Sequence, residues 1–164
     1  MSLWKKKNSK RALPQQSVPK SNATRLVDAS RTVTRIGLGT FMSVAGISHL
    51  TTAREEFQAQ VPHWVPLDTD FVVVSSGVVE IGLGLSMLLL PKQKFWTGTA
   101  LALFYVAIFP GNISQYANSI DAFGLDTDAK RLTRLFFQPV LIGLSLWSAG
   151  LPALKNRTTG TNRS

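Results

Sequence analysis

The chain has 164 residues, room for one domain by the usual allowance of about 100–200 residues each. Its net charge is +9, but the basic excess sits in the two tails rather than on one folded face, which argues against a nucleic-acid partner. With no cysteine, disulfides, thiolate metal sites and dithiol redox chemistry are excluded; two histidines are too few for a His-rich metal site, so none is assigned.

Residues 1–30 hold Lys5, Lys6, Lys7, Lys10 and Arg11 but no apolar stretch that would make a signal peptide, and Pro14 and Pro19 interrupt the polar segment after them. This composition predicts a disordered basic tail. Residues 31–154 then form the folded domain, and 155–164 a short second tail. The first predicted span is Val33 to Thr51, rich in Gly, Ser, Ala and Thr, which let helices approach closely in lipid. Thr52 to Leu67 links it to the second; Phe57, Val61, Trp64 and Val65 are spaced as a short amphipathic piece, and Pro62 and Pro66 force an extended turn.

The second span is Asp70 to Leu90, closed by Pro91. A third begins at Phe95, is disturbed by Pro110-Gly111, and continues towards Tyr116 to reach a spanning length of about 20 residues. The fourth runs from Leu132 to Gly150, with a kink expected at Pro139 and a stop at Pro152. The fold class is therefore all-α: an integral membrane four-helix bundle preceded by a disordered basic tail. Basic residues favour the cytoplasmic side of a membrane. Lys92, Lys94, Lys155, Arg157, Arg163 and nine of the first 35 residues fall on one side, against Arg54, Lys130, Arg131 and Arg134 on the other. Both termini are thus expected in the cytoplasm.

Within the second span, Glu80 stands alone among apolar neighbours, nine residues past Phe71 or roughly 14 Å down the helix. An acid at that depth is costly and needs a partner. Ser76, Gly77 and Gly84 share its face as a small-residue stripe suited to inward packing. His49 ends the first span, Asn112 and Gln115 lie past the break in the third, and Arg134 and Gln138 lie one turn apart in the fourth. Each helix so contributes a polar group to the outer half of the bundle, where such proteins build sites. One reading is a pocket with Glu80 as proton acceptor and His49 or Arg134 as its charge partner, suited to a quinone headgroup whose carbonyl oxygens want donors. The competing structural reading is that these groups bond one another and fix helix register. His63 is expected to be solvated, and Trp96, Trp147 and Tyr105 to be packing or interfacial anchors.

Ala45-Gly46-Ile47-Ser48-His49, Phe57, Val61-Pro62, Val65-Pro66, Ser76-Gly77-Val78-Val79-Glu80-Ile81-Gly82, Leu90-Pro91, Ile108-Phe109-Pro110-Gly111-Asn112 and Arg134-Leu135-Phe136-Phe137-Gln138-Pro139 recur in this order in DoxX-like membrane proteins. The chain resembles that family over about Ile36 to Leu146. The resemblance implies a small four-helix protein of the bacterial cell membrane, associated with redox or oxidative-stress systems. Where relatives carry cysteines able to handle electrons or sulfur, this chain has none. Three functions are expected: a non-catalytic accessory subunit docking a membrane or peripheral redox partner, a quinone-binding oxidoreductase component built around Glu80, and a small proton-coupled carrier working as a homo-oligomer. Quinone is the one cofactor these readings name.

Overall fold

The computed structural model describes residues 21–153. The expected basic tail lies mostly, and the second tail wholly, outside that range. Helix α1 runs Asn22–Leu50, the short α2 is Arg54–Gln58, α3 is Thr69–Leu89, α4 is Lys94–Ala117 and α5 is Asp128–Ala149. All regular structure among the described residues is helical.

The first helix starts earlier than the composition suggests, so residues 22–30 are helix rather than tail. The reason is local. Past Pro19 no helix breaker remains, and the Ser21 side chain accepts the Thr24 N–H at 3.3 Å, satisfying one of the free donors of the first turn. Asp68 caps α3 in the same way, accepting from Phe71 N at 2.9 Å. Pro110 does not end α4, and Pro139 does not end α5; both helices run through their prolines. Gly150, at φ +101°, supplies the left-handed residue that closes α5.

The four long helices alternate in direction and associate as two pairs, α1 with α3 and α4 with α5. Glycines set the first pair. A Cβ on Gly46 would meet the Gly77 carbonyl at 2.6 Å, and one on Gly84 would meet the Gly39 carbonyl at 2.7 Å. Two glycine contacts therefore bring the backbones of α1 and α3 together at two levels, the arrangement that small residues permit in lipid. In the second pair, a Cβ on Gly98 would meet the Ser145 carbonyl at 2.8 Å.

Buried Leu38, Met42, Met87, Leu101 and Tyr105 join the two pairs in a core. The end that carries residues 31–35, 87–94 and 145–152 is drawn tight by arginines. Arg35, buried, donates to the Met87 carbonyl and at 3.4 Å to that of Leu88, occupying acceptors that α3 leaves free at its C-terminus. Arg31 donates to the Pro152 carbonyl at 2.8 Å and lies 4.5 Å over the Trp147 ring.

Three elements are long and apolar enough to cross a membrane: Thr69–Leu89, Pro91–Ala117 and Asp128–Ala149. The expected first span, Val33 to Thr51, lies within helix α1 up to Leu50, but the first half of α1 carries Arg25, Asp28, Arg31 and Arg35, which lower its hydropathy. Outward-facing apolar side chains such as Val78, Leu103, Phe136 and Val140 are more than half exposed, a belt that suits lipid better than water.

The glycine contacts are open to a direct check. Gly46→Leu should destabilise the protein by at least ~2 kcal/mol through overpacking, read as a lowered unfolding midpoint in detergent. Gly37→Leu, where a Cβ meets nothing within 4 Å, should leave that midpoint unchanged or raise it. Equal losses at the two positions would refute the close approach of α1 and α3.

Candidate functional site

At the opposite end the two helix pairs diverge. There α2 and the two loops 51–68 and 118–127 bridge the gap, and beneath them lies a cavity of about 1020 Å³. Its size matches the upper range of small-molecule pockets, ~300–1,000 Å³. The walls are mostly apolar, with a few polar groups converging from every long helix: His49, Glu80, Tyr105, Asn112, Arg134 and Gln138.

His49 and Glu80 are held by the glycine contact itself. Gly77 has no side chain, so the His49 Cβ packs against its backbone, within 2.8 Å of where a Cβ would stand. Helical side chains lean towards the helix N-terminus, and the imidazole so reaches one turn further along α3, to Glu80. Its Nδ1 lies 3.1 Å from Glu80 Oε2, and both residues are buried. Nδ1 also lies 2.9 Å from the Ala45 carbonyl, which can only accept, and Glu80 Oε2 is left buried without a hydrogen bond among the described residues. The two groups form an ion pair when the ring is protonated, and Oε2 itself, which makes no hydrogen bond, keeps acceptor capacity for a further donor. Phe57 stacks on the imidazole at 3.3 Å between ring centres and shields it from outside.

On the other pair, Gln138 donates to the Tyr105 carbonyl at 2.6 Å and accepts from Asn112 Nδ2 at 2.8 Å. Pro110 has no N–H for the Val106 carbonyl one turn back, so this cross-link reinforces α4 where its own ladder is interrupted. Tyr105 O–H contacts the Met42 sulfur at 3.0 Å, tying the cavity floor to α1. Arg134 donates to Gln60 Oε1 at 3.0 Å, and Gln60 Nε2 donates to Gln115 Oε1 at 3.3 Å. The Arg134 guanidinium also lies 4.9 Å from the centre of the Phe123 ring, which meets Phe57 edge-on at 4.6 Å. Glu56 accepts from the Phe123 backbone N–H and fastens that loop over the opening.

Of the six residues singled out from the sequence, five line the cavity. Gln115 does not; it is buried beside it, bonded to Gln60 and the Ile120 carbonyl, and serves the bridge between the loops. Between the two charge partners expected for Glu80, the geometry selects His49, since Arg134 turns to Gln60 and Phe123. His63 is exposed in the turn after Pro62, as expected, and lies off the cavity wall. Sequence reasoning missed Gln60, Phe123 and the cavity-facing role of Tyr105. Gln60 and Phe123 lie in irregular loops without a periodic signal, whereas Tyr105, a phenol in an apolar helix, could have been flagged because its O–H needs a partner. It also missed Arg131, which is buried and bonded to Asp121 and Asp128, and to the Ile120 carbonyl at 3.3 Å. Near the surface, Arg54 Nε donates to Asp70 at 2.6 Å, and this bond with the charge behind it raises the Arg54 pKa above its ordinary value.

A double-mutant cycle separates the candidate partners. Glu80→Gln and His49→Phe should couple by ~0.5–3 kcal/mol in unfolding free energy, as contacting residues do, while Glu80→Gln and Arg134→Gln should add within ~0.5 kcal/mol. Additivity in the first pair would refute the contact.

No curated protein and no solved structure matches the chain at a significant level. Residues 38–149, which contain α3, α4, α5, the C-terminal part of α1 and all six candidate residues, match the family described as Domain of unknown function (DUF8561), and the chain belongs to that family.

Proposed function

We propose that this is an integral membrane protein, with α1 as a fourth span and both termini in the cytoplasm of a bacterial cell, and that its cavity receives the headgroup of a lipid-soluble quinone. The observation that carries the proposal is the free acceptor atom of a buried acid, Glu80 Oε2, facing a largely apolar cavity beside an imidazole. Intramembrane acids are functional candidates by default. Here the acid has a proton-exchanging neighbour at 3.1 Å, which is what proton uptake on quinone reduction requires. Arg134 and the Tyr105 hydroxyl would supply donors for carbonyl oxygens.

The 29 residues of α1 make a helix of roughly 43 Å. That exceeds the ~30 Å hydrocarbon layer, so its basic first turns can lie at the cytoplasmic surface while Val33–Leu50, roughly 27 Å long, crosses the apolar region. The segregation of basic residues supports the same orientation. With no cysteine in the chain, electrons would come from a membrane or peripheral partner. The motif order shared with DoxX-like proteins supports that association with redox systems, and an accessory role beside such a partner belongs to this proposal.

Native mass spectrometry of protein gently extracted from its own membrane, followed by lipid extraction, provides the test. Wild type should release quinone, and Glu80→Gln should retain at least ~10-fold less, the effect of losing one hydrogen bond to a charged group. A partner protein without quinone would instead make the chain a membrane anchor and Glu80 an internal staple.

A further inference from the structure

Among the described residues, Arg134 is the charged group of this cavity without a counter-charge. Its described contacts, the Gln60 side-chain oxygen and the Phe123 ring, are both neutral. The acids at this end of the bundle are engaged elsewhere. Asp121 and Asp128 bond Arg131, Asp126 takes Lys130 at 2.7 Å, Asp70 takes Arg54, and Glu56 holds the Phe123 N–H. Asp68 caps α3, and Glu55 lines a separate polar recess with Arg54 and Glu56. Glu80 sits about three turns into α3 and is paired with His49. No carboxylate among the described residues lies within ion-pair distance of Arg134. Lys130, one turn outward on the same helix and also lining the cavity, is neutralised by Asp126, whose carboxyl it holds below its ordinary pKa by hydrogen bond and charge. A guanidinium has five N–H donors in a fork that fits an oxyanion. Among the described residues only one of them is used.

The cavity adds a second condition. Phe41, Val44 and Phe137 line it and are themselves 55 %, 58 % and 59 % exposed, so its apolar wall opens sideways between α1 and α5. A cation at the mouth of an apolar, laterally open slot matches a molecule with an acidic head and a hydrocarbon chain. We infer that the cavity binds a single-chain acidic amphiphile, its oxyanion head on Arg134 and its chain against Phe41, Val44 and Phe137. A carboxylate and a phosphate head share this chemistry. The inference rests on the reading of the cavity as a ligand pocket and places the acidic amphiphile in competition with quinone for the same space.

The test uses the full chain in nanodiscs of zwitterionic lipid, with doxyl-labelled stearic acid and its methyl ester as probes and immobilisation read by electron paramagnetic resonance. Wild type should hold the acid at least ~10-fold more tightly than the ester, the worth of a charge-assisted hydrogen bond. Arg134→Gln should bring the two probes level, Arg134→Lys should keep part of the preference, and Lys94→Gln, at the other end of the bundle, should leave it intact. Should Arg134→Gln fail to fold, the acid-to-ester ratio in wild type and Arg134→Lys still decides. Displacement of the bound acid by lysophosphatidic acid more readily than by unlabelled stearate would assign a phosphate head; the reverse would assign a carboxylate. Equal binding of acid and ester by wild type, or a preference untouched by Arg134→Gln, overturns the inference while retained quinone leaves the pocket reading standing. Failure to retain acid, ester and quinone alike overturns both.

Discussion

The contact on which the rest of the molecule depends is the one between α1 and α3, where Gly39 and Gly46 meet Gly84 and Gly77 at backbone distance. In a membrane, as proposed, hydrophobic burial would offer little drive for helix association, and close packing and backbone proximity would have to supply it. Because the two backbones touch at two levels, their relative rotation and height are determined, and His49 is delivered to Glu80 without adjustable loops. The same contact closes off the side of the bundle that a larger residue would have wedged open.

The cavity exists because the two helix pairs are joined unequally at their two ends. Arg31 and Arg35 reach across one end to carbonyls of the Leu151–Pro152 segment and of α3, and Tyr105 ties α4 to Met42 near the middle. At the other end the bridges are long side chains carried by loops: Gln60 to Arg134 and to Gln115, Phe57 to Phe123, Glu56 to the Phe123 backbone. Side chains span a wider gap than backbone contacts do. The polar groups divide accordingly. Asn112 and Gln138 in the cavity wall and Gln115 beside it satisfy one another, a loop side chain or a carbonyl and act as internal fasteners, whereas among the described residues Glu80 Oε2 makes no hydrogen bond and most of the Arg134 donors are unused.

Much of this was legible before the fold. Helix positions follow from apolar runs and their punctuation, Pro91 after the second span and Pro152 after the fourth, whereas the caps Asp68 and Thr127, which start α3 and α5, emerged only with the fold. Charge placement along α1 was legible too, although its helical start at Asn22 was not, because a Ser cap in a polar stretch resembles tail sequence. Glu80, His49, Asn112, Arg134 and Gln138 were visible because a polar group in an apolar helix is costly and therefore conspicuous. Gln60 and Phe123 carried no such mark, since polarity and aromaticity in a loop cost nothing until the loop is docked.

The amino-acid sequence by itself determined an all-helical fold for the described residues, three of the four spans expected of it, and which side chains must find company inside the bundle, because periodicity and desolvation act locally along the chain. The tertiary structure alone decided who partners whom: that Glu80 meets His49 and not Arg134, that Gln115 turns away to the loops, and that Arg134 is left facing an open cavity. Those outcomes depend on helix rotation and spacing. Both are set by contacts between residues far apart in sequence, where glycine meets glycine.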